Sequence, residues 1–140
     1  MVLIAPLLFR MLENFVSFIF LIFSIAEALG AIGSPEVVTT LQKYSSDPVV
    51  EVAETCQLAL DRISWLHKEN TSTEQLSENP YASVDPTPPA ESTDVTQLKK
   101  TLLDKNESLF NRYRAMFALR NLQTEESILA LCAGKLSFLT

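Results

Sequence analysis

The chain has 140 residues, 47% of them hydrophobic, and a formal net charge of −6. That length allows one modest core rather than two independent domains. With 17 acidic against 11 basic residues and no Lys/Arg cluster, there is no basic stripe for a phosphate backbone, which excludes nucleic acid as a partner.

Residues 1–25 stand apart from the rest. Residues 16–23 are almost wholly apolar and residues 1–8 nearly so, but Arg10, Glu13 and Asn14 interrupt the two. The uninterrupted run falls short of the roughly 20 residues a membrane span needs. Three readings stay open: a buried helix from another sequence context, a signal or anchor with Ser24-Ile25-Ala26 as its small-x-small site, or an apolar tail without a role. Membrane association through 1–25 is therefore open but not favoured.

From Ala26 the pattern becomes orderly. Ser34-Pro35-Glu36 places a hydroxyl N-cap, a proline at N1 and an acid at N2, which predicts a helix over 35–44. Asp47-Pro48 repeats the device and predicts a helix over 48–67. Along it Val49, Val52, Cys56, Ala59, Ile63 and Leu66 form one apolar stripe. The small residues Ala53, Cys56 and Ala59 predict a close approach of another helix, and the short turns predict antiparallel neighbours.

Residues 69–93 break the pattern. Four of the seven prolines fall between 68 and 93, with many Ser, Thr and Glu, so the stretch reads as a disordered linker, with Tyr81 and Val84 as its candidates for docking. Helix signals resume at Thr93-Asp94, predicting helices over 94–104 and 107–122. Leu109, Tyr113, Met116, Phe117 and Leu119 are expected to face inward from the second. Thr124 then caps a short helix with Glu125 and Glu126 in its first turn. Cys56 and Cys132 share no CxxC spacing and sit at apolar helical positions, where buried thiols are expected; that suits a reducing, cytoplasmic setting.

The chain repeats itself at an offset of 90. Ala28-Leu29 matches Ala118-Leu119, Ile32 matches Leu122, cap Ser34 matches cap Thr124, Glu36 matches Glu126, and Leu41 matches Leu131. A third Ala-Leu, Ala59-Leu60, ends the intervening helix. Helix pairs recurring at about 30 residues with caps and core positions in register predict an all-α fold, a HEAT-like α-solenoid of antiparallel helix pairs, incomplete and interrupted by the linker. The segments are then 26–68, the linker, 94–133 and a divergent tail at 134–140.

At these residues the chain resembles the deoxyhypusine hydroxylase family. The resemblance rests on EALGAIG, YSSDPVVEVAETCQLAL, NPYASVDPTPPA and LFNRYRAMFALRN, and covers about 26–133. It implies HEAT-like repeats in two halves and hydroxylation of deoxyhypusine to hypusine on a translation factor, with O2 and two iron ions in the complete enzyme. The iron ligands of the family are four His-Glu pairs. One pair belongs directly before an Ala-Ala-Glu-Ala-Leu-Gly string, which aligns with residues 25–30 and puts Phe23 and Ser24 at the pair, neither of them a ligand. A second belongs upstream of residue 1, and the two of the other half belong beyond the point where residues 134–140 depart from the family pattern. No catalytic, cofactor or metal residue is therefore assigned, and no cofactor is expected in this chain.

Other chemistry finds little support. His67, the single histidine, ends the 48–67 helix and suits its dipole as a solvent-facing cap. Glu51 and Glu54, at i and i+3, could chelate but lie on a helix flank. One histidine serves no triad, and three glycines build no phosphate loop. The resemblance implies a hydroxylase segment, inactive alone, that meets the deoxyhypusine-containing factor. The alternatives are a non-catalytic HEAT-like interaction scaffold and a membrane-tethered fragment.

Overall fold

A computed structural model describes residues 20–69, 76–81 and 83–137. The expectations for residues 1–19, 70–75, 82 and 138–140 lie outside the described residues. Among the described residues there are helices and no strands, and no helix is long and apolar enough to cross a membrane.

The first helix, α1, is described over 20–32 and runs through the expected boundary at residue 25 without a break. It ends at Gly33, whose φ of 74° lets its N–H donate back to the Leu29 carbonyl at 3.1 Å. Ser34 then caps the next element, its Oγ accepting from the Glu36 N–H. The first turn, Pro35–Val37, is a 3-10 turn and α2 proper is Val38–Tyr44. The tightening follows from Val37, whose N–H donates to the Ser34 carbonyl three residues back. Asp47 Oδ1 accepts from the Val49 N–H at 2.9 Å, so Asp47-Pro48 forms the cap and α3, Val50–Glu69, starts just past it.

Beyond the linker, Asp94 caps α4 (Val95–Leu103) by accepting from the Thr96 and Gln97 N–H groups, and Ser108 caps α5 (Leu109–Leu122) by accepting from Asn111. At α6 (Glu125–Ser137) the cap is reciprocal. Thr124 Oγ1 accepts from the Ser127 N–H at 3.2 Å, and Ser127 Oγ accepts from the Thr124 N–H at 3.1 Å. Ser127 thus fills the role glutamate takes in a capping box. Far from being short, α6 continues through Gly134, which is buried against Leu102.

Two core clusters sit on either side of the linker. Ala26, Leu41, Val52, Cys56, Ala59 and Ile63 form the first, so the stripe expected on α3 is the face that is buried. Leu98, Leu102, Ala115, Ala118, Leu119 and Ala130 form the second, in which α4, α5 and α6 pack on one another. The close approach expected at the small residues of α3 is real: a Cβ at Gly30 would stand 2.9 Å from both Cα and Cβ of Ala59. Helix α3 also packs against α5, joining the two units.

Two expectations about which side chains are buried need correction. Phe110, Ala115 and Ala118 are buried on α5, whereas Leu109, Tyr113 and Met116 are only half-buried. Leu109 and Tyr113 face a cleft between the units, which is why the helix turns a different face to its core. Cys56 is buried, and its burial, with Asp47 nearby, pushes its thiol pKa up. Cys132 is exposed, on the face of α6 that also exposes Ile128 and Leu129 and that no other described helix covers.

The repeat register also matches backbone conformations. Gln123, the counterpart of Gly33, takes φ 52° and ψ 25° at the end of α5. A side chain in that left-handed conformation costs about 1 kcal/mol. Gln123→Gly should therefore raise the unfolding free energy by about 0.5–1 kcal/mol, measured by urea denaturation; an equal loss would show that the glutamine side chain stabilises the turn.

Candidate functional site

A cleft of about 220 Å³ opens where α1, α3, α5 and the linker meet. On α1, Phe23, Glu27 and Gly30 stand at i, i+4 and i+7 and so share one face. On α3, Glu51, Glu54, Thr55 and Leu58 stand at i, i+3, i+4 and i+7. Leu109 and Tyr113 come from α5, again four apart, and Pro86 from the linker. The floor is apolar, and three carboxylates and one phenol edge it.

Thr55 Oγ1 donates to the Glu51 carbonyl at 2.7 Å, so its proton is engaged within α3. Burial first, then the charge of Glu54, push the Tyr113 hydroxyl above its ordinary range; Arg112 opposes them, and Glu27 adds a smaller push upward. Tyr113 is therefore a protonated donor at neutral pH. The carboxylates of Glu27, Glu51 and Glu54 give the mouth a negative potential with no basic residue among its lining groups.

The residues singled out from sequence divide between two places. Phe23, Glu51 and Glu54 line the cleft; Ser24 is exposed beside it. His67 lies elsewhere, in an open groove between α2 and α3 with Val38, Leu60 and Asp61. There burial pushes the Asp61 carboxyl up, offset in part by the hydrogen bond from Gln57 Nε2 at 3.0 Å. Glu27, Tyr113 and Pro86 were missed. For Glu27 a signal existed, since it lies one turn after Phe23 on the same helix face; for Tyr113 and Pro86 only the folded chain places them there.

The donors do not fit the iron pair that the family implies. Imidazole and carboxylate together suit non-haem iron, and the cleft lining has no imidazole. Among the described residues, no group of three or more His, Cys, Asp or Glu is gathered to hold a metal ion. The phenyl ring of Phe23 forms part of the cleft wall.

Comparison with known proteins agrees with this fold. Residues 23–47 and 112–136 match the PBS lyase HEAT-like repeat, one match in each unit. The chain is 59% identical over 108 residues to the deoxyhypusine hydroxylase of Gallus gallus, covering 77% of this chain and 35% of that one. It is 58% identical over 108 residues to the deoxyhypusine hydroxylase of Homo sapiens, again 77% of this chain and 35% of the relative. The solved structure of human deoxyhypusine hydroxylase in complex with glycerol superposes with a TM-score of 0.71 at 57% identity, over 78% of this chain and 37% of that one. Repeat, identity and fold agree: the chain belongs to the deoxyhypusine hydroxylase family, and it spans about a third of the length of the curated relatives it matches.

Proposed function

We propose that this chain is a hydroxylase segment that supplies part of the deoxyhypusine hydroxylase scaffold and does not hydroxylate deoxyhypusine by itself. The observation that carries the reading is the cleft, whose lining includes Phe23 and no imidazole, and whose polar side chains are three carboxylates, a threonine and a phenol. An apolar floor with an acidic mouth suits the aliphatic, amine-bearing side chain of a deoxyhypusine-containing translation factor. The cleft can attract and seat such a group without the metal chemistry that acts on it. The cytoplasm, where that factor is met, is the setting that goes with this reading.

The test is reconstitution of the purified chain with ferrous iron under anaerobic conditions, followed by addition of O2 and the substrate factor. The expected result is well under one iron per chain and no hypusine. Phe23→His with Ser24→Glu should restore neither, since one His-Glu pair cannot enclose two irons. Stoichiometric iron with a hydroxylated product would overturn the proposal. The exposed Ile128 and Leu129 on α6 favour a second reading, a HEAT-like interaction scaffold, because a solenoid covers such faces with a further repeat or a partner. Product formation by the chain alone would remove that reading as well.

A further inference from the structure

Asp85 lies where the linker, α3 and α5 meet. Its carboxylate accepts a bidentate pair of hydrogen bonds from Arg120, Nη1 to Oδ1 at 2.9 Å and Nη2 to Oδ2 at 2.8 Å, across 35 residues of sequence. Ser83 Oγ and Asn79 Nδ2 donate to the same carboxylate, each at 3.1 Å. The Asp85 backbone carbonyl accepts from Arg62 Nη1 on α3. The Arg120 guanidinium is flanked by two rings, Phe117 at 4.8 Å and Tyr81 at 5.1 Å.

A second attachment follows a few residues on. The Ala90 N–H donates to the Arg114 carbonyl at 3.0 Å, and Arg114 Nη2 donates to the Pro89 carbonyl at 3.2 Å. Thr87, between the two attachments, is fully buried. The linker has no helix or strand in its described part, but it is packed, contrary to the expectation of a disordered tether. Charged side chains of α3 and α5 bind its backbone and its one aspartate. Pro86, held between the two attachments, is the residue it contributes to the cleft.

The repeat register sharpens the point. Arg120 stands where the first unit has Gly30. In the first unit that position lets two helices touch; in the second it carries the side chain that grips the linker.

We propose that Asp85 is a positioning residue: by tying the linker to both α3 and α5 it sets the spacing of these helices and fixes Pro86 as a wall of the cleft. The clasp is independent of what the cleft binds and of its iron content. The Asp85 carboxyl sits below the ordinary carboxylate range, chiefly through its hydrogen bonds from Arg120, against burial, with Ser83 and the charges of Arg120 and Arg62 adding to the effect. A depressed folded pKa gives stabilisation that is complete above the ordinary carboxylate pKa and is lost as pH falls through the folded value.

The experiment is residue-resolved hydrogen exchange on the 140-residue chain and on Asp85→Asn. It is paired with spin labels on Gln57→Cys in α3 and Asn111→Cys in α5, in a Cys132→Ser background; Cys56 is buried and stays unlabelled. Asp85→Asn should lower Ala90 amide protection at least tenfold and broaden the α3–α5 distance distribution, while Ile63 and Leu119 amides keep theirs. In the unsubstituted chain Ala90 protection, corrected for intrinsic rates, should fall in acid before the helices unfold, and Asp85→Asn should show no such step. Arg120→Lys, which keeps the charge and loses the fork, should behave like Asp85→Asn. Unchanged Ala90 protection, an unchanged distance distribution, or a uniform loss across all amides would overturn the proposal. Should neither variant fold, the acid titration of the unsubstituted chain decides: Ala90 protection that persists until global unfolding overturns it.

Discussion

Leu119→Ala should lower the unfolding free energy by about 3–4 kcal/mol, within the range of leucine truncations in well-packed cores. Leu119 is 0% exposed and lies at the centre of the second cluster, among Leu98, Leu102, Ala115, Ala118 and Ala130. Three of those neighbours are alanines on α5 and α6, whose short side chains cannot move into the space a leucine leaves, so the cavity should persist. The repeat supplies an internal control. Leu29, the counterpart of Leu119, is only half-buried beside the first cluster, and Leu29→Ala should cost roughly half as much. Urea denaturation followed by helical circular dichroism measures both. Equal losses at the two positions would mean that the two units are packed alike, contrary to the burial seen.

Gly30 should reverse the usual sign of a helical glycine substitution. In an exposed helix interior, glycine to alanine stabilises by about 1 kcal/mol. Here the added Cβ would meet both Cα and Cβ of Ala59 at 2.9 Å, and neither atom belongs to a flexible side chain that can swing away. Helix α1 must then move off α3. Gly30→Ala should therefore destabilise, by about 1–2 kcal/mol after the propensity gain, and Gly30→Val by about 3 kcal/mol or more. Ala59→Gly introduced beside Gly30→Ala should relieve only part of the clash, because it removes the Ala59 Cβ and leaves the equally close Cα, giving a coupling energy of at least about 0.5 kcal/mol in a double-mutant cycle. Additive single losses would place the strain elsewhere. Since Gly30 and Ala59 both line the cleft, the same contact holds two of its walls together.

Much of this architecture was legible before the fold was known. The caps at Ser34, Asp47, Asp94 and Thr124 are local devices, each complete within three residues, and each is made in the structure. The stripe of α3 is a matter of spacing along one helix. The register of the repeat needs only the chain compared with itself, and it extends to the paired left-handed residues Gly33 and Gln123.

The candidate site was legible only in part. Phe23, Glu51 and Glu54 could be named from motif and spacing, but the cleft that unites them could not. Tyr113 on α5 reads as one more apolar-face aromatic, and Pro86 as one more linker proline, until α3 and α5 are brought together. The packing of the linker was hidden for a related reason. Its composition is polar, and what holds it is Arg62, Arg114 and Arg120, which in sequence are ordinary surface cations of α3 and α5.

By itself, then, the sequence determined the helices, their caps, the face α3 buries, the two-unit repeat and the family. All of these depend on interactions within a turn or two of helix, or on strings of residues that can be matched directly. Only the tertiary structure decided which residues edge the cleft, that Cys132 is exposed while Cys56 is buried, and that Asp85 ties two helices through the linker. Those outcomes depend on residues tens of positions apart, and helical periodicity carries no information about which helix a given face will meet.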